Sequence, residues 1–268
     1  MSHFPTNFDE YREPFVGGGG IFFSVPVSKK RWINDKDQNL MSVYFALKHR
    51  PEEFISMCKS IEPYFKGEAL TFAKPGGKKL YCKRMKKKFD ELLNNPDADP
   101  ALKYFFVNRT VWAGRVNYNL ESRLYFSNHN GWNVVKTDLL EKASRCLRDA
   151  KITVVDYKHV LRTSGKNCVI YLDPPYVKES QMSTSSRLYL HSFNINDHIE
   201  LLQEIQDSNH VIILSYEDNE LIRDLYSSSD FRIYEFDHTY CGTNSAMSLS
   251  QNVSRKKRRA VELIITRR

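Results

Sequence analysis

A chain of 268 residues that is 41% hydrophobic can bury one large core, or a core carrying an inserted module, and no apolar run is long enough to cross a bilayer. Five scattered cysteines without a C-x-x-C pair, and eight histidines without ligand spacing, exclude a disulfide framework and a zinc site. The net charge of +8 favours a polyanionic partner, and the opening residues Met1-Ser2-His3-Phe4-Pro5 lack a signal-peptide pattern, so a cytoplasmic protein without a resident metal is expected.

The first element of note is Glu13-Pro14-Phe15-Val16-Gly17-Gly18-Gly19-Gly20, followed by the apolar residues 21–25. Successive glycines let a backbone turn tightly and approach a ligand, and a helix after them would offer its N-terminal amides. No Gly-Lys-Ser/Thr closes the turn, so a triphosphate is not implied. Residues 31–35 read as a second strand ending at Asp35, about 20 residues past the glycine turn, a position that suits hydrogen bonding to ribose hydroxyls. A surface aspartate at a strand end is the competing reading. Residues 39–49 and 51–61 carry helical spacing.

From residue 58 to 138 the texture changes. Lys78, Lys79, Lys83, Arg84, Lys86, Lys87 and Lys88 crowd around Tyr81 and Phe89, and residues 101–113 resume a helical pattern. Arg115, Asn117, Tyr118, Asn119 and Arg123 follow on an expected hairpin with a turn at residues 128–131. Basic, amide and aromatic side chains interleaved in this way suit contacts to phosphates and base edges. A solvated charged face explains the lysines equally well.

Beyond residue 139 strands and helices alternate again. A helix is expected over 140–147, and a strand over 152–155 that ends at Asp156-Tyr157. A second strand, over 169–172, ends at Asp173-Pro174-Pro175-Tyr176. The prolines fix the backbone and remove two amide donors, which leaves the Asp173 carboxylate and the Pro174 carbonyl as acceptors and Tyr176 as a stacking surface. An exocyclic amino group on a planar base fits two acceptors and a ring; adenine and cytosine both carry one. A loop containing residues 183–186, helices over 197–205 and 221–226, and a buried strand over 211–215 come next. Residues 231–236 and 261–265 are expected to pair as a terminal hairpin, with the basic run 255–259 between them placed to touch phosphates. The pattern implies an α/β fold with a mostly parallel sheet and an antiparallel C-terminal hairpin. A basic, mainly helical insertion with its own β-hairpin divides it into residues 1–57, 58–138 and 139–268.

The strings Glu13–Gly19, Asn34-Asp35, Tyr104–Arg109, Asp173–Tyr176 and Glu262-Leu263-Ile264, in this order, resemble the Dam-type, D12-class DNA N6-adenine methyltransferases of the α group, and the likeness covers nearly the whole chain. The resemblance implies a Rossmann-like methyltransferase sheet and S-adenosyl-L-methionine as methyl donor. Phe15, Gly17 and Gly19 would lie under the donor, Asp35 would hold its ribose and Asp156 with Tyr157 would flank its adenine. Asp173 would stand between donor and substrate. Asp173, Pro174, Pro175 and Tyr176 would grip an adenine flipped out of double-stranded DNA. Residues 58–138 would be a target-recognition domain, with Arg109, Arg115, Asn117, Asn119 and Arg123 on the DNA and Lys256 and Arg258 on its backbone. Asn117 stands where GATC-specific relatives tend to place an arginine, so the recognition sequence is left open. Relatives usually carry a Gly-Gly-Lys string ahead of the glycine turn. Its absence before Glu13 makes a DNA-binding homologue without transfer the alternative, beside a cytosine-N4 or RNA base methyltransferase.

Overall fold

The structure, a computed structural model, describes residues 4–61, 77–110, 116–119, 124–125, 136–176, 186–187, 193–239 and 259–267. Its centre is a seven-stranded sheet of β1 (Glu10–Glu13), β2 (Lys30–Asn34), β5 (Lys151–Thr153), β6 (Cys168–Leu172), β8 (Val211–Glu217), β9 (Phe231–Thr239) and β10 (Arg259–Arg267), in the order β5-β2-β1-β6-β8-β10-β9. The first five strands in that order pair in parallel. The expected terminal hairpin is present, with a particular placement: β10 lies between β8 and β9 and runs antiparallel to both. This is the mostly parallel, Rossmann-like methyltransferase sheet expected from the sequence.

All five residues of β6 are buried, as expected for a central parallel strand covered on both faces. Side chains alternate along it: Val169 and Tyr171, with Ile213 of β8, join one apolar cluster, whereas Ile170 and Leu172, with Ile212 and Leu214, join the other. Each fully buried Ile or Leu contributes about 1.5–3 kcal/mol. The first cluster also takes Met41, Tyr44 and Leu47 of α1 (Gln38–His49), Phe54 and Ile61 of α2 (Pro51–Ile61), and Phe106 and Val107 of α4 (Pro100–Thr110). The second takes Leu201 and Ile205 of α7 (Ile195–Asp207). Helix α3 (Gly77–Asn94) carries the lysine cluster, and α4 packs on α1. The described part of the insertion is thus seated on the first half of the sheet. α2 runs through residue 57 to Ile61.

Two local outcomes differ from the sequence expectations. The glycine turn leads into one 3-10 turn (Phe22–Ser24), not a longer helix. Pro26 has no amide proton and forces the residue before it out of helical geometry; Val25 accordingly sits at φ −79° and ψ 134°. The helix expected over 101–113 is present from Pro100 to Thr110, and residues 111–113 lie outside the described residues. Ser186, assigned to a loop, begins β7 (Ser186–Arg187), which pairs with β3 (Asn117–Asn119), itself paired with β4 (Leu124–Tyr125). The insertion's hairpin is therefore part of a three-stranded sheet, β4-β3-β7. The expected turn at 128–131, the loop residues 183–185 and the basic residues 255–258 lie outside the described residues.

Candidate active site

Neighbouring strands β1 and β6 connect in opposite directions across the sheet, which makes the gap between their C-terminal ends a switch point, the usual ligand site of an open parallel sheet. Register pairs Arg12 with Ile170, so the glycine turn and Asp173 leave the sheet side by side.

The turn is built by its own amides and by α1. Gly17 has φ 46° and Gly19 φ 70°, left-handed conformations that glycine adopts without strain. The Gly19 amide donates to the Val16 carbonyl (2.7 Å), and the Tyr44 hydroxyl donates to the Gly17 carbonyl (2.9 Å). A Cβ on Gly19 would meet Tyr44 Oη at 2.7 Å and Phe23 Cε2 at 2.9 Å, whereas Gly17, Gly18 and Gly20 face open space. Asp35 closes the underside: its Oδ2 accepts from the Gly17 amide (3.1 Å) and its Oδ1 from the Asp37 amide (3.0 Å). Asp37 in turn caps α1 by accepting from the Asn39 and Leu40 amides at 2.9 and 3.2 Å. Burial, against these two hydrogen bonds, pushes the Asp35 carboxyl up to about 6.

Asn34 joins three strand ends. Its amide nitrogen donates to the Pro14 and Val155 carbonyls (3.0 Å each), and its oxygen accepts from the Val155 amide (2.9 Å) and the Thr153 hydroxyl (2.8 Å). Each capacity of a buried side-chain amide is thereby used. Buried Glu13 accepts from the Tyr11 hydroxyl at 2.6 Å. Desolvation, reinforced by the charges of Asp173 and Asp35, raises its carboxyl to about 8 despite bonds from Tyr11 and the Phe22 amide.

Asp173 faces the crevice and is exposed there, whereas Pro174 is buried and Pro175 and Tyr176 are half-buried. Protein packs closely behind its carboxyl, and this burial, with the charge of Glu262, pushes it up to about 6 against hydrogen bonds from Ser215 and Tyr176. The Ser215 hydroxyl lies 3.2 Å from Asp173 Oδ1 and 3.2 Å from Glu262 Oε1. The ring of Tyr176 leans on Tyr216 with centroids 6.2 Å apart.

On the far side of the glycine turn, Phe15, Tyr157 and Phe193 form an aromatic group with centroid separations of 5.2, 5.8 and 6.1 Å. The Tyr157 hydroxyl is buried without a hydrogen-bond partner among the described residues. Asp156 is exposed, caps α6 (Tyr157–Arg162) through the Lys158 amide at 3.1 Å and stands 3.6 Å from Lys36.

Phe15, Gly17, Gly19, Asp35, Asp156, Tyr157 and Asp173 therefore all follow the C-terminal ends of four neighbouring parallel strands, β1, β2, β5 and β6. Asn117 and Asn119 lie on β3 as expected, and Arg109 is half-buried in the last turn of α4. Arg115, Arg123, Lys256 and Arg258 lie outside the described residues. Sequence reasoning missed Ser215, Phe193, Tyr44 and Asp37 as parts of the site. The available signal was a lone polar residue after the apolar run 211–214, as Ser215 is within β8. Among the described residues no group of His, Cys, Asp and Glu is arranged to hold a metal ion, and no helix is long and apolar enough to cross a membrane.

Residues 1–241 match the family of D12 class N6 adenine-specific DNA methyltransferases. Type II methyltransferase M1.LlaDCHI of Lactococcus lactis subsp. cremoris is 23% identical over 98% of this chain and 87% of its own length. Type II methyltransferase M.MjaIII of Methanocaldococcus jannaschii is 27% identical over 73% of this chain and 68% of its own. DNA adenine methylase of Escherichia coli (strain K12) is 23% identical over 82% and 76%. A strand-tip crevice with an Asp-Pro-Pro-Tyr string and a family match across most of the chain lead to one conclusion: the chain belongs to the D12 class N6 adenine-specific DNA methyltransferases, whose reaction is site-specific methylation of adenine in DNA.

Proposed function

We propose that the chain moves a methyl group from S-adenosylmethionine to N6 of an adenine flipped out of double-stranded DNA, in the crevice between Gly17–Gly19 and Asp173. The observation that carries this reading is the Asp173 carboxylate, open to the crevice at the end of β6 and directly beside the glycine turn of β1. The residues present suit such a donor. Gly18 and Gly20 leave space above the turn, Asp35 keeps lone pairs for ribose hydroxyls, and the aromatic group of Phe15, Tyr157 and Phe193 offers a face to a base. Glu13, Asp35 and Asp173 are carboxyls held together by burial, a setting that favours a cation.

S-adenosylmethionine, when bound, supplies an electrophilic methyl group on a sulfonium. Asp173 and the Pro174 carbonyl accept the two hydrogens of the adenine amino group, which draws its lone pair out of conjugation with the ring and disperses the positive charge that develops on nitrogen. Alignment of that nitrogen with the methyl supplies much of the remaining acceleration. Residues 1–57 and 139–268 form the catalytic domain. Residues 58–138 read the target, with Arg109, Arg115, Asn117, Asn119 and Arg123 on the DNA and Lys256 and Arg258 on its phosphates. A DNA substrate supports a cytoplasmic location.

The test is transfer from labelled donor to unmethylated genomic DNA, followed by digestion to nucleosides. N6-methyladenine is the expected product, and Asp173→Ala is expected to lose at least about 100-fold in rate with donor affinity largely kept. Full transfer by that variant, or label on cytosine, would overturn the reading.

A further inference from the structure

Ser215 is buried at 1% exposure between two carboxyls, 3.2 Å from Asp173 in front and 3.2 Å from Glu262 behind. A hydroxyl has one hydrogen to give. It can donate to one of these carboxyls only, and a bond to the other requires that carboxyl to hold a proton of its own. The groups acting on the trio are Glu13 of β1, Tyr171 of β6, Tyr176, whose hydroxyl lies 3.5 Å from Ser215 Oγ, and Tyr216 of β8, every one of them an acid. A proton that arrives on Asp173 meets this requirement, because Asp173 can then donate to Ser215 while Ser215 donates to Glu262. From Asp173 the proton reaches Glu262 when two hydrogens shift across Ser215.

The reaction creates a proton in need of such a path. When the N6–methyl bond forms, the donor's carbon–sulfur bond breaks and its electron pair stays on sulfur, leaving N6 positively charged with both of its hydrogens. One of those protons must depart, and its bonding pair returns to N6 as the lone pair of neutral N6-methyladenine. The substrate base covers the exposed side of Asp173, so the side left free is the one facing Ser215.

We propose that Ser215 and Glu262 form the proton exit of the active site: Asp173 takes the N6 proton and passes it to Ser215 Oγ as Ser215 passes its own hydrogen to Glu262. This rests on the reading of Asp173 as acceptor for the substrate amino group. The transfer restores the Asp173 carboxylate and leaves Glu262 neutral. Glu262 is half-buried on β10 and returns the proton to water. The elevated position of the Asp173 carboxyl, at about 6, suits a group that must both take and give up a proton near neutrality. Ser215 and Glu262 act through Asp173 and are positioning residues.

Glu262→Gln keeps the size and can still bond Ser215, but cannot take a proton. Single-turnover transfer from S-adenosylmethionine to unmethylated genomic DNA, followed by rapid quench across pH 5.5 to 9, is expected to slow at least about tenfold in E262Q, with donor and DNA affinities unchanged. Formate is expected to restore part of the rate of Glu262→Ala and none of that of Ser215→Ala, a rescue that a packing defect would not show. Wild-type single-turnover rates in E262Q, or a Glu262→Ala variant indifferent to formate, would overturn the relay. Should the Glu262 variants fail to fold, Ser215→Thr must stay fast and Ser215→Ala must be slow; equal rates overturn it. Asp173→Asn separates the two readings. Normal transfer by D173N removes the site assignment itself, whereas loss in D173N beside full activity in E262Q removes the relay alone.

Discussion

The Tyr118 hydroxyl, on the hairpin of the insertion, donates to Oδ2 of Asp37, the residue that caps α1. Asp37 donates its amide to Asp35, and Asp35 accepts from Gly17. Four residues thus link the β3–β4 hairpin to the floor of the proposed donor site. A hydrogen bond to a charged group contributes about 1.5–3 kcal/mol. Tyr118→Phe keeps the buried ring and removes that bond. It should weaken donor binding several-fold and reduce the mutual strengthening of donor and DNA binding, as measured by calorimetric titration of donor with and without DNA. Equal affinities in both proteins would show that the link transmits nothing.

Donor binding should depend on pH. Asp35 and Asp173 titrate near 6 because burial disfavours their charged forms, and a cationic donor is attracted by the ionised forms only. Affinity for S-adenosylmethionine should rise as pH increases from about 5 to 7.5, and the neutral thioether product should show a shallower rise. Identical profiles for the two ligands would contradict the carboxyl cluster as a cation site.

Glu13 makes a stability prediction of definite sign. Its carboxyl is raised from 4.5 to about 8, with desolvation as the main cause. A carboxyl raised on folding contributes its stability fully below the unfolded value and loses it as pH climbs through the folded one. The loss is on the order of 1.4 kcal/mol for each pH unit between the two values. Without donor, Glu13→Gln should therefore gain in melting temperature relative to the parent as pH rises from about 5 to 9. A constant difference across that range would refute the assignment.

Gly19→Ala should be costly. The residue holds φ 70°, and its new methyl would run into Tyr44 Oη at 2.7 Å. Left-handed strain of about 1–2 kcal/mol adds to that clash. Tyr44→Phe should relieve only the contact with the hydroxyl and leave that with Phe23 Cε2 at 2.9 Å, so urea denaturation of the single and double variants should show partial recovery. Gly18→Ala, with nothing within 4 Å, should leave stability close to that of the parent and act on donor binding alone.

Asn34→Ala removes the partner of four groups at the ends of β1, β2 and β5. Stranded buried acceptors and donors cost about 1–3 kcal/mol each, so a loss of at least about 3 kcal/mol is expected in urea unfolding. A loss under about 1 kcal/mol would mean that water replaces the amide.

Much of this site was legible because its residues sit at strand ends, where a hydrophobic run stops at a polar group. Asp35, Asp156 and Asp173 were each visible in that way, and the structure places all three at the same edge of one sheet. Asn34 ends β2 and Ser215 lies inside β8, but their roles depend on which strands are neighbours, and that is decided by pairings across distances no local pattern records. The short 3-10 turn after the glycines was written in Val25-Pro26 and overlooked beside the stronger glycine signal. Strand β7 was hidden for another reason. Two residues carry no periodicity, and their pairing comes wholly from β3.

That pairing has a consequence for redesign. Tyr118 lies opposite Arg187 and Asn119 opposite Ser186, so the chain that has just passed through Asp173–Tyr176 docks its backbone onto the very strand expected to read sequence. Reader and chemist share a ladder. A hairpin transplanted from a relative to change the target would arrive without its matching rung unless residues 186–187 travelled with it, and altered selectivity would then come with impaired turnover.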